Sequence, residues 1–524
     1  MGTSASGVES TERRAALLVL ASLLAVSAAA MLRFGRSELI DDAYVSFRYA
    51  QNLVEGHGIV FNPGERVEGY TNFLWVLLVA AAMKVGLDPE LAARVLGGAF
   101  ALGTIVVIAG WPAIRGGPRW LTWLAPALLA GSPVANLWAV HGLETAMFTF
   151  WVTLGMRSAA HATDDGRWPG AAGLWFALAT WTRPEGVLFF GATAVYGLVT
   201  CPQGAQWRLA SFSAAYFALA GSFWLWRWSY YGYFLPNTFY AKVGASEAVI
   251  RRGVGYVAAF LLRPHALIFL LLLPAAARAR VDRSIRYPLW MAAVTLAAVA
   301  ALGGDSFPGF RFLVPICPVL YWLVQSGAAE VRERLPRLRA GLALALLAAV
   351  AAHLAALHSA AERERRGSDE FVARMRLVAE ALRSQLPPTT KIALNPIGAV
   401  PYFSGLYAYD MIGLTDEHIA HTHPGNFGGG RAGHEKGDGR YMLERRPDLI
   451  FVGNVLTAAR ELEVSLALAM EWSVIFRTES ELVTLPELGA LYTRDALALA
   501  DGSHVVFLRR RDFELPIKGA SSRP

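Results

Sequence analysis

The sequence predicts an α-helical polytopic membrane protein that carries an α/β domain at its C-terminal end, on the extracytoplasmic side. Of its 524 residues, 55% are hydrophobic and only 17% are charged, and the mean hydropathy is +0.37. Soluble domains carry about 25% charged residues. Apolar runs near the roughly 20 residues that a helix needs to cross a bilayer recur through the chain. Beyond residue 357 this apolar pattern ends.

The apolar runs define a transmembrane domain over residues 15–357, after a short cytoplasmic tail at 1–14. The runs lie at 15–32, 72–86, 93–110, 120–139, 141–157, 170–182, 184–200, 209–228, 254–275, 287–303, 312–328 and 340–357. Because arginine-rich loops stay in the cytoplasm, we expect 11 crossings (about 11 transmembrane helices), with run 72–86 not crossing. The first run is interpreted as a retained signal anchor. The net charge of +7 lies largely in these loops and does not indicate nucleic-acid binding.

Five loops then share the outer face, and each carries ionisable or aromatic side chains beside the membrane. These loops are 38–70, 140–144, 181–186, 229–242 and 303–311. Ionisable groups at a membrane are costly unless they are solvated, paired or used. Their convergence predicts one functional cavity at the extracytoplasmic interface.

The first outer loop contains an acid pair, and in the domain division we take residues 33–71 as this catalytic loop. Asp41 and Asp42 follow the first apolar run, and Glu68 and Tyr70 return an acid and a ring to the membrane surface. Helix capping alone could explain the acid pair, since acids stabilise helix N-termini. Carboxylates also act as general bases toward hydroxyl groups, and aromatic rings stack on the apolar face of a sugar. The loop therefore indicates a carbohydrate site.

Residues 358–524 predict an extracytoplasmic α/β domain that we expect to bind the acceptor. Strand candidates lie at 391–394, 449–452, 474–476 and 504–508, between helical patterns and Gly/Pro-rich loops. Loop 425–440 holds seven glycines in sixteen residues, which predicts a mobile or ligand-contacting segment.

No metal site is predicted from the histidines of this domain. His418, His421, His423 and His434 lie close in sequence. No cysteine or well-spaced carboxylate pair completes a zinc ligand set. The two cysteines of the chain lie in or beside membrane segments and suggest no disulfide framework.

The run from Asp41 to Trp75 resembles the first outer loop of GT-C membrane glycosyltransferases, which use polyprenyl-phosphate sugars. The closest resemblance is to the terminal arabinofuranosyltransferases of bacterial cell-envelope synthesis. Further matching segments lie at 142–145, 181–186, 236–242, 304–312 and 410–416, so the resemblance spans most of residues 15–450. It implies a GT-C-like fold.

The resemblance also implies roles for individual residues. An acid of the first outer loop serves as catalytic base or orients the acceptor, which maps to Asp41 or Asp42, and Asp41 is favoured. A cation must hold the departing lipid phosphate. The donor-phosphate candidates are Arg183, Lys242 and Arg311. The acceptor or sugar candidates are Tyr44, Glu68, Tyr70, His141, Glu144, Glu185, Asn237, Tyr240 and Asp305.

Several of these candidates have a structural alternative. Arg183 could be a snorkelling interfacial arginine, and Arg311 could form an internal ion pair with Asp305. Glu144 and Glu185 either contact acceptor hydroxyls or neutralise a nearby arginine. No resident cofactor is predicted, although a divalent cation could bridge the donor phosphate at the acid pair.

The sequence thus predicts an integral membrane glycosyltransferase of the plasma (inner) membrane. It would transfer a sugar, arabinofuranose or another pentose, from a polyprenyl-phosphate donor to an extracytoplasmic glycan or glycolipid. Membrane lipid is a further partner. The alternative is a non-catalytic transporter or assembly factor for envelope glycans or surface organelles. A transporter should place its ionisable residues near the bilayer midplane, whereas these cluster at one interface.

Overall fold

The computed structural model describes residues 3–111, 118–165, 170–201, 204, 207–244, 246–262, 264–425, 427–458 and 476–515, and it is mainly helical. The first helices are α1 (Thr3–Phe34), α2 (Asp41–Val54), α3 (Phe73–Lys84), α4 (Pro89–Ala109), α5 (Leu124–Gly131), α6 (Pro133–Val140), α7 (Thr145–Asp165), α8 (Gly170–Thr182), α9 (Gly186–Thr200), α10 (Trp207–Tyr216) and α11 (Ser222–Tyr231). They are followed by α12 (Asn237–Lys242), α13 (Glu247–Leu261), α14 (Leu272–Arg278), α15 (Arg286–Ala301), α16 (Cys317–Arg334), α17 (Arg339–Gln385), α18 (Ala399–Ser404), α19 (Glu417–Ala420), α20 (Gly439–Glu444), α21 (Arg477–Leu482) and α22 (Pro486–Leu491).

The chain divides into two compact units. The first unit comprises Met1–Ser37, Glu90–Trp224 and Arg252–Arg365, and the second comprises Glu38–Pro89, Leu225–Arg251 and Arg366–Pro524. The second unit therefore contains the loops at 38–70 and 229–242, which are predicted to be outer loops, and residues 366–524 of the predicted C-terminal domain. The division falls within α17, a continuous helix of 47 residues.

The described residues contain six helices that are long and apolar enough to cross a membrane. They are Thr11–Phe34, Pro89–Ala109, Leu209–Tyr231, Arg283–Ala301, Arg311–Arg334 and Arg339–Gln385. The number rises to eight if the bent pairs Trp120–Gly131 with Pro133–Val140 and Glu247–Leu261 with Ala266–Arg278 each count as one span. The structure therefore shows a helical protein with several apolar helices of membrane-spanning length, and the count of 11 stays a prediction.

The shortness of several helices explains why the sequence has more apolar runs than the structure has helices of membrane-spanning length. Some runs form short helices, such as α8 with 13 residues and α9 with 15. Helix α3 has 12 residues, about 18 Å in length at 1.5 Å per residue, against a hydrocarbon core of about 30 Å. This length agrees with the expectation that run 72–86 does not cross.

Helix α2 carries the acid pair in its first turn. Asp41 and Asp42 begin the helix, where negative charge is favoured by the helix dipole. The next eight residues, 43–50, are all buried. Enclosure on every face holds the first turn of α2, and with it the acid pair, in a fixed position.

The second unit contains a six-stranded mixed sheet. Its strands are β1 (Lys391–Leu394), β2 (Tyr407–Asp410), β3 (Leu449–Ile450), β4 (Thr457–Ala458), β5 (Tyr492–Ala498) and β6 (His504–Arg510). The order is β2-β1-β3-β6-β4, with β5 also paired to β6. Strands β1, β2 and β3 are parallel, and the pairs that involve β6 are antiparallel.

The strands predicted from the sequence can now be compared with the strands of the sheet. Strand β1, which lies between β2 and β3, buries three consecutive residues, as expected for a parallel strand covered on both faces. The predicted strands at 391–394 and 504–508 are present, and the strand predicted at 449–452 is present at Leu449–Ile450. Of the strand predicted at 474–476, residues 474 and 475 lie outside the described residues, and Phe476 precedes α21.

Candidate active site

The carboxylate of Asp41 is held by two backbone amides. The amide of Ala399 donates to Oδ1 at 2.8 Å, and the amide of Gly398 donates to Oδ2 at 3.1 Å. Asp41 keeps part of its surface accessible. Each carboxylate oxygen can accept more than one hydrogen bond, so Asp41 is oriented by the chain and can still accept a proton or a hydrogen bond.

Only glycine fits at position 398. A Cβ atom there would lie 2.0 Å from the carbonyl oxygen of Asp41 and 2.6 Å from its Oδ2. Both separations are far below van der Waals contact. The close approach of the Gly398 backbone to Asp41 therefore depends on the missing side chain.

Burial raises the pKa of Asp41 to about 7. The amide of Ala399 opposes this rise in pKa, the negative charge of Asp42 adds to it, and the amide of Gly398 opposes it. A general base works best when its pKa lies near the operating pH. Asp41 therefore has the pKa expected of a base at neutral pH.

Lys242, a predicted phosphate ligand, packs against the glycine-rich loop 425–440. A Cβ at Gly433 would lie 3.4 Å from Cδ of Lys242, and one at Gly244 would collide with the Phe427 ring at 2.4 Å. The Lys242 side chain is exposed. In the described part of the chain, its ammonium group forms no hydrogen bond or ion pair.

Arg227 neutralises Glu68. Its guanidinium contacts both carboxylate oxygens of Glu68 at 2.5–3.1 Å, and both side chains are almost fully buried. Burial raises the pKa of Glu68, and the hydrogen bond and charge of Arg227 oppose that rise. Tyr70 is also buried, and its hydroxyl lies 3.1 Å from that of Tyr231. The sugar-binding roles predicted for Glu68 and Tyr70 stay predictions.

Tyr44 has no exposed surface. Its hydroxyl accepts a hydrogen bond of 2.7 Å from Arg376, which also pairs with Glu38 at 3.0 Å. Its ring packs against Phe403, with 5.0 Å between the ring centroids. These contacts anchor α2 and leave no ring face for a sugar, so the predicted sugar-binding role of Tyr44 has no support in the described contacts.

Asn237 fixes the start of α12. Its side-chain amide donates to the carbonyl oxygens of Gly413, Leu414 and Asp416 at 2.9–3.2 Å. This anchor positions both Lys242 and Tyr240, which lie on the same helix. The predicted acceptor role of Asn237 is untested, and the contacts that are present orient the helix.

Tyr240 belongs to a partly accessible aromatic group. Its ring centroid lies 4.4 Å from that of His421, and the Tyr233 centroid lies 5.1 Å from the same imidazole. The Tyr233 hydroxyl donates to Glu417. An accessible aromatic surface of this kind can stack on a sugar.

In the first unit, the predicted phosphate-binding arginines are already paired. Arg183 contacts Glu144 and Glu185, each at 2.7 Å. Arg311 contacts Asp305 at 2.9 Å. The structural alternatives, namely a neutralised Arg183 and an internal pair at Arg311, are therefore the observed arrangements.

His141 is buried in the same unit. Only 1% of its surface is exposed, and its ring lies edge-on to Trp138. Trp138 donates a hydrogen bond of 2.8 Å to the carbonyl oxygen of Gly309. The acceptor role predicted for His141 stays a prediction.

Sequence reasoning missed three structurally central groups. No sequence pattern around Gly398 indicates a role at the site, because its partner Asp41 is 357 residues away in the chain. Arg227 is a lone cation within an aromatic run, a pattern that could have marked it as paired. Arg48 is buried, and its guanidinium donates to the carbonyl oxygens of Phe61, Pro401 and Leu406.

The acid pair does not form a closed cation site with its described neighbours. In the described ranges, no three His, Cys, Asp or Glu side chains are grouped so as to hold a metal ion. Divalent cations bind to six or more oxygens, some of them from water or substrate.

The fold is similar to that of a solved protein structure. The structure resembles that of ArnT from Cupriavidus metallidurans bound to undecaprenyl phosphate, with a TM-score of 0.57 and 14% identity. The match covers 95% of this chain and 98% of ArnT. A family model described as a domain of unknown function, DUF8728, matches residues 363–501.

Two sequence relatives are each named terminal β-(1→2)-arabinofuranosyltransferase. The relative from Corynebacterium glutamicum is 28% identical over 348 residues, covering 57% of this chain and 50% of the relative. The relative from Mycobacterium tuberculosis is 26% identical over 329 residues, covering 58% of this chain and 52% of the relative. The chain spans about half the length of these relatives. These similarities agree with the resemblance predicted from the sequence: the fold is similar to that of ArnT, and the sequence is similar to two proteins named as arabinofuranosyltransferases.

Proposed function

We propose that this protein is an integral membrane glycosyltransferase that moves one sugar from a polyprenyl-phosphate donor to an extracytoplasmic glycan or glycolipid. The observation that carries the proposal is the environment of Asp41. Its carboxylate is fixed by two backbone amides, remains partly accessible, and has a pKa of about 7. These are the properties that a general base toward a hydroxyl group requires.

In the proposed reaction, Asp41 accepts the proton of an acceptor hydroxyl. The hydroxyl oxygen forms a bond to the anomeric carbon as the bond from that carbon to the phosphate oxygen breaks. The electron pair leaves with the phosphate, so the lipid departs as a polyprenyl phosphate. Its additional negative charge requires a cation close to the leaving oxygen.

Lys242 is the preferred cation among the three candidates from the sequence. Arg183 and Arg311 already neutralise buried carboxylates. Lys242 is exposed and lies in the same unit as Asp41. It therefore needs no rearrangement of an existing ion pair to bind phosphate.

The pentose donor and the glycan acceptor are proposed from the names of the sequence relatives, both of which are arabinofuranosyltransferases. The lipid phosphate is proposed from the undecaprenyl phosphate bound to ArnT. We place the protein in the plasma membrane, with Asp41 and the sheet-containing unit on the outer side. The aromatic group at Tyr240 is proposed to contact sugar.

The test is sugar transfer by the full chain, purified in detergent. Radiolabelled polyprenyl-phosphate arabinofuranose and polyprenyl-phosphate hexoses are offered with arabinan and other envelope-glycan acceptors. Wild-type protein is expected to transfer arabinofuranose. Asp41→Asn should reduce kcat by about 10²- to 10⁴-fold, the usual contribution of a general base.

Glu55→Gln is the matched control, because Glu55 is an exposed acid directly after the other end of α2. This variant should transfer at the wild-type rate. Wild-type protein that transfers no sugar with any donor and acceptor would refute the proposal and favour the transport or assembly role. Transfer by Asp41→Asn at the wild-type rate would remove Asp41 from catalysis.

A further inference from the structure

Lys242 and Arg431 are exposed cations of the second unit, and neither forms an ion pair among the described residues. By contrast, the basic groups Arg227 and Arg376 of the same unit pair with Glu68 and Glu38. Cations that bind no internal carboxylate are available to an anionic ligand.

Lys242 and the glycine-rich loop that carries Arg431 pack closely together. Gly433 lies against the Lys242 stem, with 3.4 Å from its Cβ position to Cγ and Cδ. Gly428 lies against Ser246, 2.4 Å from its Cβ position to Oγ. A Cβ at Gly428 would collide with Ser246, and the positive φ angles of Gly428 (100°) and Gly433 (75°) favour glycine at both positions. The glycines thus permit the approach that brings residues 428–433 to Lys242.

The loop is held in one shape by internal hydrogen bonds. Oε1 of the buried Glu435 accepts from the amides of Gly428 and Gly430, both at 2.8 Å. The ammonium group of Lys436 donates to the carbonyl oxygen of Ala420 at 2.6 Å. Arg431 follows directly after this anchored turn, so its backbone position is defined rather than random.

Lys242 and Arg431 lie in one electrostatic neighbourhood. The imidazole of His434 senses the charges of Arg431, Lys242 and Asp42. Burial lowers the pKa of His434 to about 4, so this side chain is neutral at pH 7 and adds no charge of its own. The nearby carboxylate of Glu435 is buried and accepts two loop amides.

We propose that Arg431 joins Lys242 in binding the phosphate of the lipid donor and of the departing polyprenyl phosphate. The glycine-rich loop of the C-terminal domain is then part of the donor site, whereas the sequence suggested only an acceptor role for that domain. A guanidinium can bind two phosphate oxygens at once, which a lysine cannot. This inference rests on the proposed function, because it takes Lys242 as the first phosphate ligand.

The test is binding of undecaprenyl phosphate to the full chain in detergent, measured by microscale thermophoresis. Arg431→Ala and Lys242→Ala should each raise Kd about tenfold, which corresponds to the loss of one charge-assisted contact. Arg431→Lys should recover part of the affinity. Arg440→Ala is the matched control, since Arg440 is an exposed arginine of the same domain, and it should bind as the wild type does.

Two further probes identify the source of the phosphate. Undecaprenol, which has the lipid chain without phosphate, should bind equally weakly to wild type and Arg431→Ala. Inorganic phosphate should compete only at much higher concentration, because it lacks the lipid chain. Competition at equal concentrations would show a free-phosphate site and overturn the assignment to the lipid donor.

The remaining outcomes distinguish a failure of the assignment of Arg431 to the donor phosphate from a failure of the proposed glycosyltransferase function. An unchanged Kd for Arg431→Ala beside a raised Kd for Lys242→Ala would overturn the inference and leave the proposed function intact. An equal loss in Arg440→Ala would show general charge attraction and overturn the inference. Wild-type protein that does not bind undecaprenyl phosphate would overturn both. Thermal unfolding of each variant checks that the loop remains folded.

Discussion

Asp41 and Gly398 are 357 positions apart in the chain, yet the amide of Gly398 donates to the Asp41 carboxylate at 3.1 Å. The contact exists because a glycine allows the backbone of residues 398–399 to reach the first turn of α2. The orientation of the proposed base therefore depends on a residue that has no functional group.

Gly398→Ala should displace the Asp41 carboxylate, because the added methyl group would lie 2.0 Å from the Asp41 carbonyl oxygen. We expect kcat to fall about 10²-fold, as for other misplacements of a reacting group by about 1 Å. Steady-state transfer kinetics measure this effect. Gly489→Ala serves as the control, since Gly489 is exposed, has an ordinary backbone conformation, and has nothing within 4 Å of its Cβ position. Equal activity in both variants would contradict a positioning role for Gly398.

Transfer should depend on pH through Asp41. The carboxylate is the active form, so kcat/KM should rise with pH, reach half its maximum near pH 7, and level off above it. The pH profile of wild-type transfer checks this expectation. A profile that stays flat from pH 5 to 9 would exclude titration of Asp41 as the controlling event.

The same pKa predicts the sign of a stability change. The folded state holds the Asp41 proton more tightly than the unfolded state, whose carboxyl has the ordinary pKa of 3.8. Asp41 therefore favours folding at low pH, and this contribution is lost as pH rises from about 4 to about 7. Relative to Asp41→Asn, the wild type should lose Tm over this range. A Tm difference that does not change with pH would contradict the raised pKa.

Glu68→Gln should destabilise the protein, because it leaves the buried guanidinium of Arg227 without its counter-ion. Breaking one side of a buried ion pair costs about 3–5 kcal/mol. Thermal unfolding in detergent measures the loss. Glu247→Gln is the control, since the Glu247–Arg251 pair is exposed and such pairs contribute about 0–1 kcal/mol. A stable Glu68→Gln variant with a raised acceptor KM would instead support the sugar-binding role predicted from the sequence.

Arg183→Ala should act on stability more than on donor binding. The substitution would leave the carboxylates of Glu144 and Glu185 without their shared cation, and the Glu144 side chain is only 4% exposed. We expect a lower Tm and a donor KM within about twofold of wild type at temperatures where the variant is folded, because its partners are internal. A raised donor KM with an unchanged Tm would restore Arg183 as a phosphate ligand.

Tyr240→Ala should weaken acceptor binding. The ring lies against His421 in a partly accessible aromatic group, and one aromatic contact contributes about 0.5–1.5 kcal/mol. The acceptor KM should therefore rise about 2- to 12-fold, whereas Tyr240→Phe should retain most affinity. Phe239→Ala, which alters the exposed neighbouring ring, is the control. Equal effects at both positions would indicate a general change in α12.

The sequence predicted those parts of the fold that have a local pattern. The apolar runs, the acids that begin α2 and the strands β1 and β6 all follow from neighbouring residues. Strand β5 is not predicted, because Thr493, Arg494 and Asp495 are three consecutive polar residues and the strand pairs with β6 alone in the described sheet. Strand β2 is not predicted, because its four residues, Tyr-Ala-Tyr-Asp, include no β-branched side chain, whereas the equally short β1 contains Ile392.

The candidate site was harder to predict than the fold, because its contacts join distant residues. Asp41 could be chosen from its position after the first apolar run. The amides of Gly398 and Ala399 that bind Asp41 could not be predicted, because they are 357 and 358 residues away and no local sequence pattern indicates so distant a contact. The same limit hid the neutralisation of Glu68 by Arg227, 159 residues apart.

The hydrogen bonds of Arg48 have a consequence for sequence variation. This side chain reaches the C-terminal domain only through main-chain carbonyl oxygens, at Pro401 and Leu406, in its described hydrogen bonds. Every amino acid supplies such an oxygen, so the attachment constrains the path of the backbone and not its side chains. Homologous C-terminal domains with different sequences but the same backbone path could therefore be exchanged onto α2 without redesigning this contact.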